Sequence, residues 1–213
     1  YKYRSFLNMI LNEVTLKKAY NFLSKDKCLD YLIKRFSEEI NISERYDSNY
    51  SRALALLIIE QQVSFNAAIT IKERFLKIIN NLDNLEVLQI HSDDLQSIGI
   101  SYRKVEYIKN VYEYFQKSNF NFQKSSEDDV IKELTKIRGI GLWSAQMFLI
   151  FVLYRINIFS KGDLALMNSL QINYQIDVKN TEHVNKLIDK WSPYKTVASL
   201  ILWKSIEEKY FYA

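Results

Sequence analysis

Apolar residues recur three and four positions apart along almost the whole chain, the period of helices that turn one face inward. With four glycines and one proline, little interrupts that period. Phe6, Met9, Ile10 and Val14 predict a first helix, and Leu29, Leu32, Ile33 and Phe36 a second. The polar run from Asn41 to Asn49 reads as a linker. Ser51 to Val63 is nearly all apolar, a buried helix ending in Glu60-Gln61-Gln62. Ser64 is the expected N-cap of a helix carrying Ala67, Ala68, Ile71, Phe75 and Ile78 on one face. Leu85 to Ile90 is a short helix, and Val105, Ile108, Val111, Tyr112 and Phe115 stripe a longer one beyond a turn at Gly99. Asn119 to Ser125 reads as a loop; Ser126 and Asp129 then have capping-box spacing. Helices to about Ile137, from Leu142, from Asp163 to about Tyr174, from Thr181 to Lys190, and one opened by Pro193 near its first turn complete the chain. No strand alternation stands out, so the class is all-α.

Topology priors suggest a two-lobed helical bundle with a cleft between the lobes: lobe A about 46–153, lobe B about 1–45 plus 154–213. At 213 residues the chain can bury a proper core, and 48% hydrophobic with 25% charged residues is a globular balance. The longest uncharged apolar run, Leu142 to Tyr154, contains Ser144 and Gln146 and falls short of the roughly 18 residues of a membrane span. No signal-peptide pattern is visible. The expected location is cytoplasmic and nucleoid-associated in a prokaryote, or nuclear in a eukaryote. Cys28 is alone, which excludes an internal disulfide framework, a cysteine-ligated zinc site and a four-cysteine iron–sulfur cluster. A net charge of +4 and a pI near 8.9 permit an acidic polymer partner without requiring one.

Chemistry concentrates between Leu134 and Leu170, which holds three of the four glycines. Gly139-Ile140-Gly141 sits between two helical runs, a helix-hairpin-helix pattern. Glycine permits a tight turn and close approach of a bulky anion, and amides at the start of the second helix can take a phosphate. Lys132, Lys136 and Arg138 add charge nearby. Such a turn grips a sugar–phosphate backbone without reading sequence. A plain αα-corner whose glycines only permit close packing is the alternative. Asp163, behind Gly162, reads from the residues alone as a helix N-cap, a role compatible with catalysis.

Several segments, in order, resemble one family. Leu134-x-x-Ile137-Arg138-Gly139-Ile140-Gly141-x-Trp143-Ser144-Ala145 followed by Phe159-x-x-Gly162-Asp163-Leu164 is similar to the helix-hairpin-helix/Gly–Pro–Asp superfamily of DNA glycosylases. The Trp143-Ser144-Ala145 version resembles its alkylpurine (3-methyladenine) branch, of the bacterial AlkA and yeast Mag kind. Glu60-Gln61-Gln62-Val63-Ser64, Gly99-Ile100-Ser101 with Lys104, and Trp191-Ser192-Pro193-Tyr194-Lys195-Thr196-Val197-Ala198 running to Leu202-Trp203 agree with that branch. The resemblance implies Asp163 as the catalytic carboxylate, with Trp143 and Trp203 lining a pocket for a flipped base. It implies amides after Gly139 and Gly141 on a phosphate, Arg138 and Lys136 beside it, and Gln62 as the wedge filling the gap in the duplex. No cofactor is implied, though a structural sodium or potassium ion could sit on the carbonyls of Thr135, Ile137 and Ile140. The expected partner is double-stranded DNA containing damaged bases, met by a monomer away from any membrane. Read as residues alone, the two tryptophans fit a core and Gln62 fits a helix end.

Relatives that also cut the backbone carry a lysine two residues after the second glycine, where this chain has Trp143. Without that amine no Schiff base forms, so the resemblance implies hydrolysis to an abasic site and no strand cleavage. His91 and His183 are remote in sequence from the motif, which leaves no evident general acid and suits alkylated purines such as 3-methyladenine and 7-methylguanine, already cationic leaving groups. The chain departs from the family at Arg138 and Ser160, where prolines are usual, and at Met167 and Asn168, where bases are common. A non-catalytic damaged-DNA-binding module, or a glycosylase for other damaged bases, are the alternatives.

Overall fold

The structure is a computed structural model that describes residues 10–43 and 47–212. Among these residues it is helical throughout, with a single β-bridge pairing Ile10 with Arg155. The chain divides into two compact units, one of Tyr1–Arg45 with Leu149–Ala213 and one of Tyr46–Phe148. No helix among the described residues is long and apolar enough to cross a membrane.

The first unit opens with α1 (Glu13–Leu23) and α2 (Lys27–Phe36). Asn12 and Thr15 form a reciprocal capping box that fixes the first turn of α1 at Glu13. Ile10 is therefore bridge rather than helix, and Val14 is 63% exposed instead of facing the core. Phe6 and Met9 lie outside the described residues. Asp26 caps α2 through the amides of Cys28 and Leu29. The same carboxylate accepts from the Tyr174 hydroxyl at 3.0 Å and the Trp191 indole at 3.3 Å, so one side chain joins three segments of the unit. The remaining helices are α10 (Leu164–Tyr174), α11 (Thr181–Asp189) and α12 (Lys195–Glu207). In this numbering α9 is Leu142–Phe151, and the division between units falls inside it. Leu16, Ala19, Leu29, Leu32, Leu166 and Ile201 form part of one continuous core, over which α12 packs on α1, α2 and α10. Pro193 does not open α12. It follows Ser192 through a cis bond and stands two residues before Lys195, with Tyr194 as the cap position.

The second unit is built around α3 (Tyr50–Glu60), with Ala53, Leu54, Ala55, Leu57, Ile58 and Ile59 all buried. Its low amphipathicity is what a central helix shows when neighbours cover most of its sides. Around it run α4 (Phe65–Ile78), α5 (Asn84–Gln89), α6 (Ser92–Ser97), α7 (Tyr102–Lys117) and α8 (Glu127–Leu134). Ser64 caps α4 through the amide of Ala67, as its place in the sequence suggests. The periodicity does not reveal α6, six residues capped by the ring of His91, because so short a helix completes too few turns. Ser126 caps α8 but makes half of the expected box: Asp129 binds the Ser126 hydroxyl rather than the cap amide. The loop 119–125 hides one aromatic anchor, Phe122, which meets Phe148 and Tyr50 edge-on.

Candidate functional site

The hairpin between α8 and α9 is longer than the sequence suggests. The first helix stops at Leu134 rather than near Ile137, because Thr135 takes the C-cap and its hydroxyl donates to the Ile131 carbonyl at 2.8 Å. Lys136 to Gly141 then cross over, with the amide of Ile140 donating to the carbonyl of Ile137 at 3.0 Å. Gly139 has φ +106°, a conformation that side chains rarely adopt. A β-carbon there would lie 2.2 Å from Cγ of Tyr107 on α7, so the ring fills the place of the missing side chain. Gly141 differs: a β-carbon would meet nothing within 4 Å. Its freedom is open space immediately ahead of the amides that start α9.

Three side chains hold this turn and the end of α3 within the unit. Gln61 Nε2 donates to the Gly139 carbonyl at 3.2 Å and to the Ser144 hydroxyl at 3.0 Å. Asn110 Nδ2 donates to the Arg138 carbonyl at 3.2 Å. Lys104 Nζ donates to the carbonyls of Ile59 and Gln61, where α3 ends. Sequence reading did not assign a role to Gln61, Lys104, Tyr107 or Asn110. The available signal was that Gln61 and Lys104 stand inside segments already matched to the family.

Two of the three charges expected beside the turn are paired. Arg138 forms an ion pair with Glu106 of α7, and Lys136 with Glu133 at 2.6 Å. Lys136, aided by the Tyr114 hydroxyl, holds the Glu133 carboxyl below its usual range. Local basicity is thereby muted, and the backbone amides at the start of α9 become the main anion-facing feature of the turn. Trp143, second residue of α9, is half-buried. Gln62 is exposed just past the end of α3 in a left-handed conformation, φ 55°.

In the other unit, Asp163 is the N-cap of α10, and its Oδ1 accepts from the Leu166 amide at 2.9 Å. The same oxygen accepts from Nε1 of Trp203 on α12 at 3.0 Å. Trp203 lies near-parallel to Phe151, ring centroids 5.7 Å apart, so its indole plane is set by a neighbour. The carboxylate is half-buried and aimed by two donors from different helices. Trp203 thus has a hydrogen-bonding task besides any surface its ring presents. A separate cleft of about 650 Å³ in this unit is lined by Phe22, Asp26, Cys28, Tyr174 and Trp191 among others, and by neither Asp163 nor Trp203. No group of three or more His, Cys, Asp or Glu among the described residues could hold a metal ion.

Comparison with known proteins identifies the family. The Bacillus subtilis protein YfjP is 30% identical over 184 residues, 81% of this chain but 64% of its own length, so the chain spans under two thirds of that relative. A DNA-3-methyladenine glycosylase of Saccharomyces cerevisiae is 27% identical over 228 residues, 86% of this chain and 77% of that protein. The structure of the Schizosaccharomyces pombe 3-methyladenine DNA glycosylase in complex with abasic DNA superposes with a TM-score of 0.82 at 26% identity, covering 89% of this chain and 97% of that one. The family model described as HhH-GPD superfamily base excision DNA repair protein matches residues 55–193, well over half of the sequence. That match takes in the α8–α9 hairpin, Asp163 and all the turn contacts, and the chain belongs to the HhH-GPD superfamily of base excision DNA repair proteins.

Proposed function

We propose that the protein is a monofunctional DNA glycosylase that releases alkylated purines, of the 3-methyladenine and 7-methylguanine type, by hydrolysis. The observation that carries this reading is the aimed carboxylate of Asp163, held on one oxygen by the Leu166 amide and the Trp203 indole. Its family, and relatives named as 3-methyladenine glycosylases, supply the substrate class.

In this mechanism the open amides at the start of α9 take a phosphate of damaged duplex DNA. The damaged nucleotide leaves the stack at a cost of a few kcal/mol, lessened because a damaged pair is already weak, and Gln62 enters the gap. The N-glycosyl bond breaks with its electron pair going to the base, which neutralises the cationic alkylpurine. Positive charge develops on the deoxyribose, where Asp163 stabilises it and orients the attacking water. Water bonds to the sugar carbon and passes a proton by way of the Asp163 carboxylate to solvent, leaving an abasic site. Tryptophan faces suit the cationic base while it is still attached, worth about 0.5–2 kcal/mol per contact, a task assigned to Trp203 and, from its place in the motif, Trp143. Because Trp143 occupies the position where an amine would be needed, no Schiff base forms and the strand stays intact.

The same reading puts a monovalent cation on the carbonyls of Thr135, Ile137 and Ile140. The carbonyl of Ile137 already accepts from the Ile140 amide, so an ion would share it through its second lone pair.

Base-release analysis on alkylated duplex DNA tests the proposal, with heat or alkali to reveal abasic sites. Wild type should release methylated purines and produce breaks after that treatment alone. Asp163→Asn should bind abasic DNA and release nothing; near-wild-type release by this variant would overturn the assignment. A non-catalytic module would bind damaged DNA in a salt-sensitive way and give no abasic product from any variant.

A further inference from the structure

The end of α3 is held by more than a helix end needs. Water or a tightened last turn ordinarily satisfies the final carbonyls of a helix. Here the ammonium of Lys104, carried on α7, donates to the Ile59 carbonyl at 2.9 Å and to the Gln61 carbonyl at 2.5 Å. Burial lowers the affinity of this amine for its proton, so the charge is kept at a cost that bulk-exposed lysines do not bear. Lys72 of α4 adds an ion pair to Glu60 at 2.5 Å, both side chains being largely covered. The backbone fixed in this way turns into the left-handed conformation at Gln62, which a non-glycine side chain enters only when its surroundings impose it. The side chain of Gln61 points the other way, onto the Gly139 carbonyl and the Ser144 hydroxyl.

We infer that Lys104 and Gln61 are positioning residues that lock the loop 61–64 to the Gly139–Ser144 turn, so that phosphate grip and entry of Gln62 into the duplex act as one rigid piece. The inference rests on the proposed roles of the hairpin and of Gln62, and it adds a mechanical link between them. A protein sliding along DNA by its phosphate contacts would then carry Gln62 at a fixed height and angle to the base stack. Gln61 serves both sides of the link, with its carbonyl held by Lys104 and its amide holding the turn. Packing alone would not require this, since an apolar residue at 61 could cover the turn equally well.

The test is a double-mutant cycle read on DNA carrying 2-aminopurine beside an abasic site, where fluorescence reports unstacking without any base release. Gln62→Ala should weaken the fluorescent complex about tenfold, a loss of about 1.4 kcal/mol. Lys104→Met and Gln61→Ala should each lower the signal by a similar factor, and neither should lower it further in the Gln62→Ala background. Lys104→Arg, which keeps a cationic donor, should recover part of the loss. Additive effects in the cycle, or full unstacking by Gln61→Ala, would overturn the inference. If Lys104→Met fails to fold, Gln61→Ala with and without Gln62→Ala decides alone. Because the signal needs no turnover, absence of base release by wild type would refute the glycosylase reading and leave the link separately decided.

Discussion

Nε1 of Trp203 donates to Oδ1 of Asp163 at 3.0 Å, and the Leu166 amide donates to the same oxygen at 2.9 Å. The acid of the family motif is thus aimed by a residue forty positions away, on a different helix. Trp203→Phe keeps an aromatic ring against Phe151 and removes the donor. A hydrogen bond to a charged group is worth about 1.5–3 kcal/mol, so single-turnover base release should fall roughly ten- to a hundredfold. Affinity for abasic DNA should change little. An unchanged release rate would mean that the indole serves as packing.

The two hairpin glycines should respond in opposite ways. Gly139→Ala drives a methyl into Tyr107 at a φ of +106°, and strain with overpacking should cost roughly 2–4 kcal/mol of stability. Gly141→Ala meets open space and should melt within about 1 kcal/mol of wild type, the cost of a poorer cap. Its methyl would instead stand where a phosphate approaches, so DNA affinity should fall while the fold persists. Thermal denaturation beside a binding titration separates the two outcomes.

Asp26 has no part in the proposed chemistry yet holds α2, Tyr174 and Trp191 together. Asp26→Ala removes a cap and strands the indole of a fully buried tryptophan, at about 3 kcal/mol in urea unfolding. A loss below about 0.5 kcal/mol, the range of ordinary surface changes, would show that water replaces the carboxylate.

Cys28 should be silent to alkylation. Burial pushes its thiol up to about 12, far above the pH of ordinary labelling, so thiolate is scarce and access is blocked. Iodoacetamide near pH 8 should modify it only after denaturant is added, and mass spectrometry reads the result directly. Rapid labelling of native protein would contradict the burial of α2.

By itself the sequence determined the all-helical class, most helix positions, the hairpin between two helices and the acid behind Gly162. Local physics decides these: the 3.6-residue period of Val105, Ile108, Val111 and Tyr112, the serine caps at 64 and 126, and glycine punctuation in a glycine-poor chain. Where local signals compete, it erred by a few residues. Asn12 with Thr15 started α1 at Glu13 and left Ile10 to a bridge, and Thr135 ended α8 early. Tertiary structure alone decided what each chemical residue touches. Gln61 reaches across 78 positions to Gly139, Trp203 across 40 to Asp163, and Arg138 is paired with Glu106 rather than left bare. Such contacts leave no period in the chain, because their partners are fixed by how helices pack rather than by spacing along one of them.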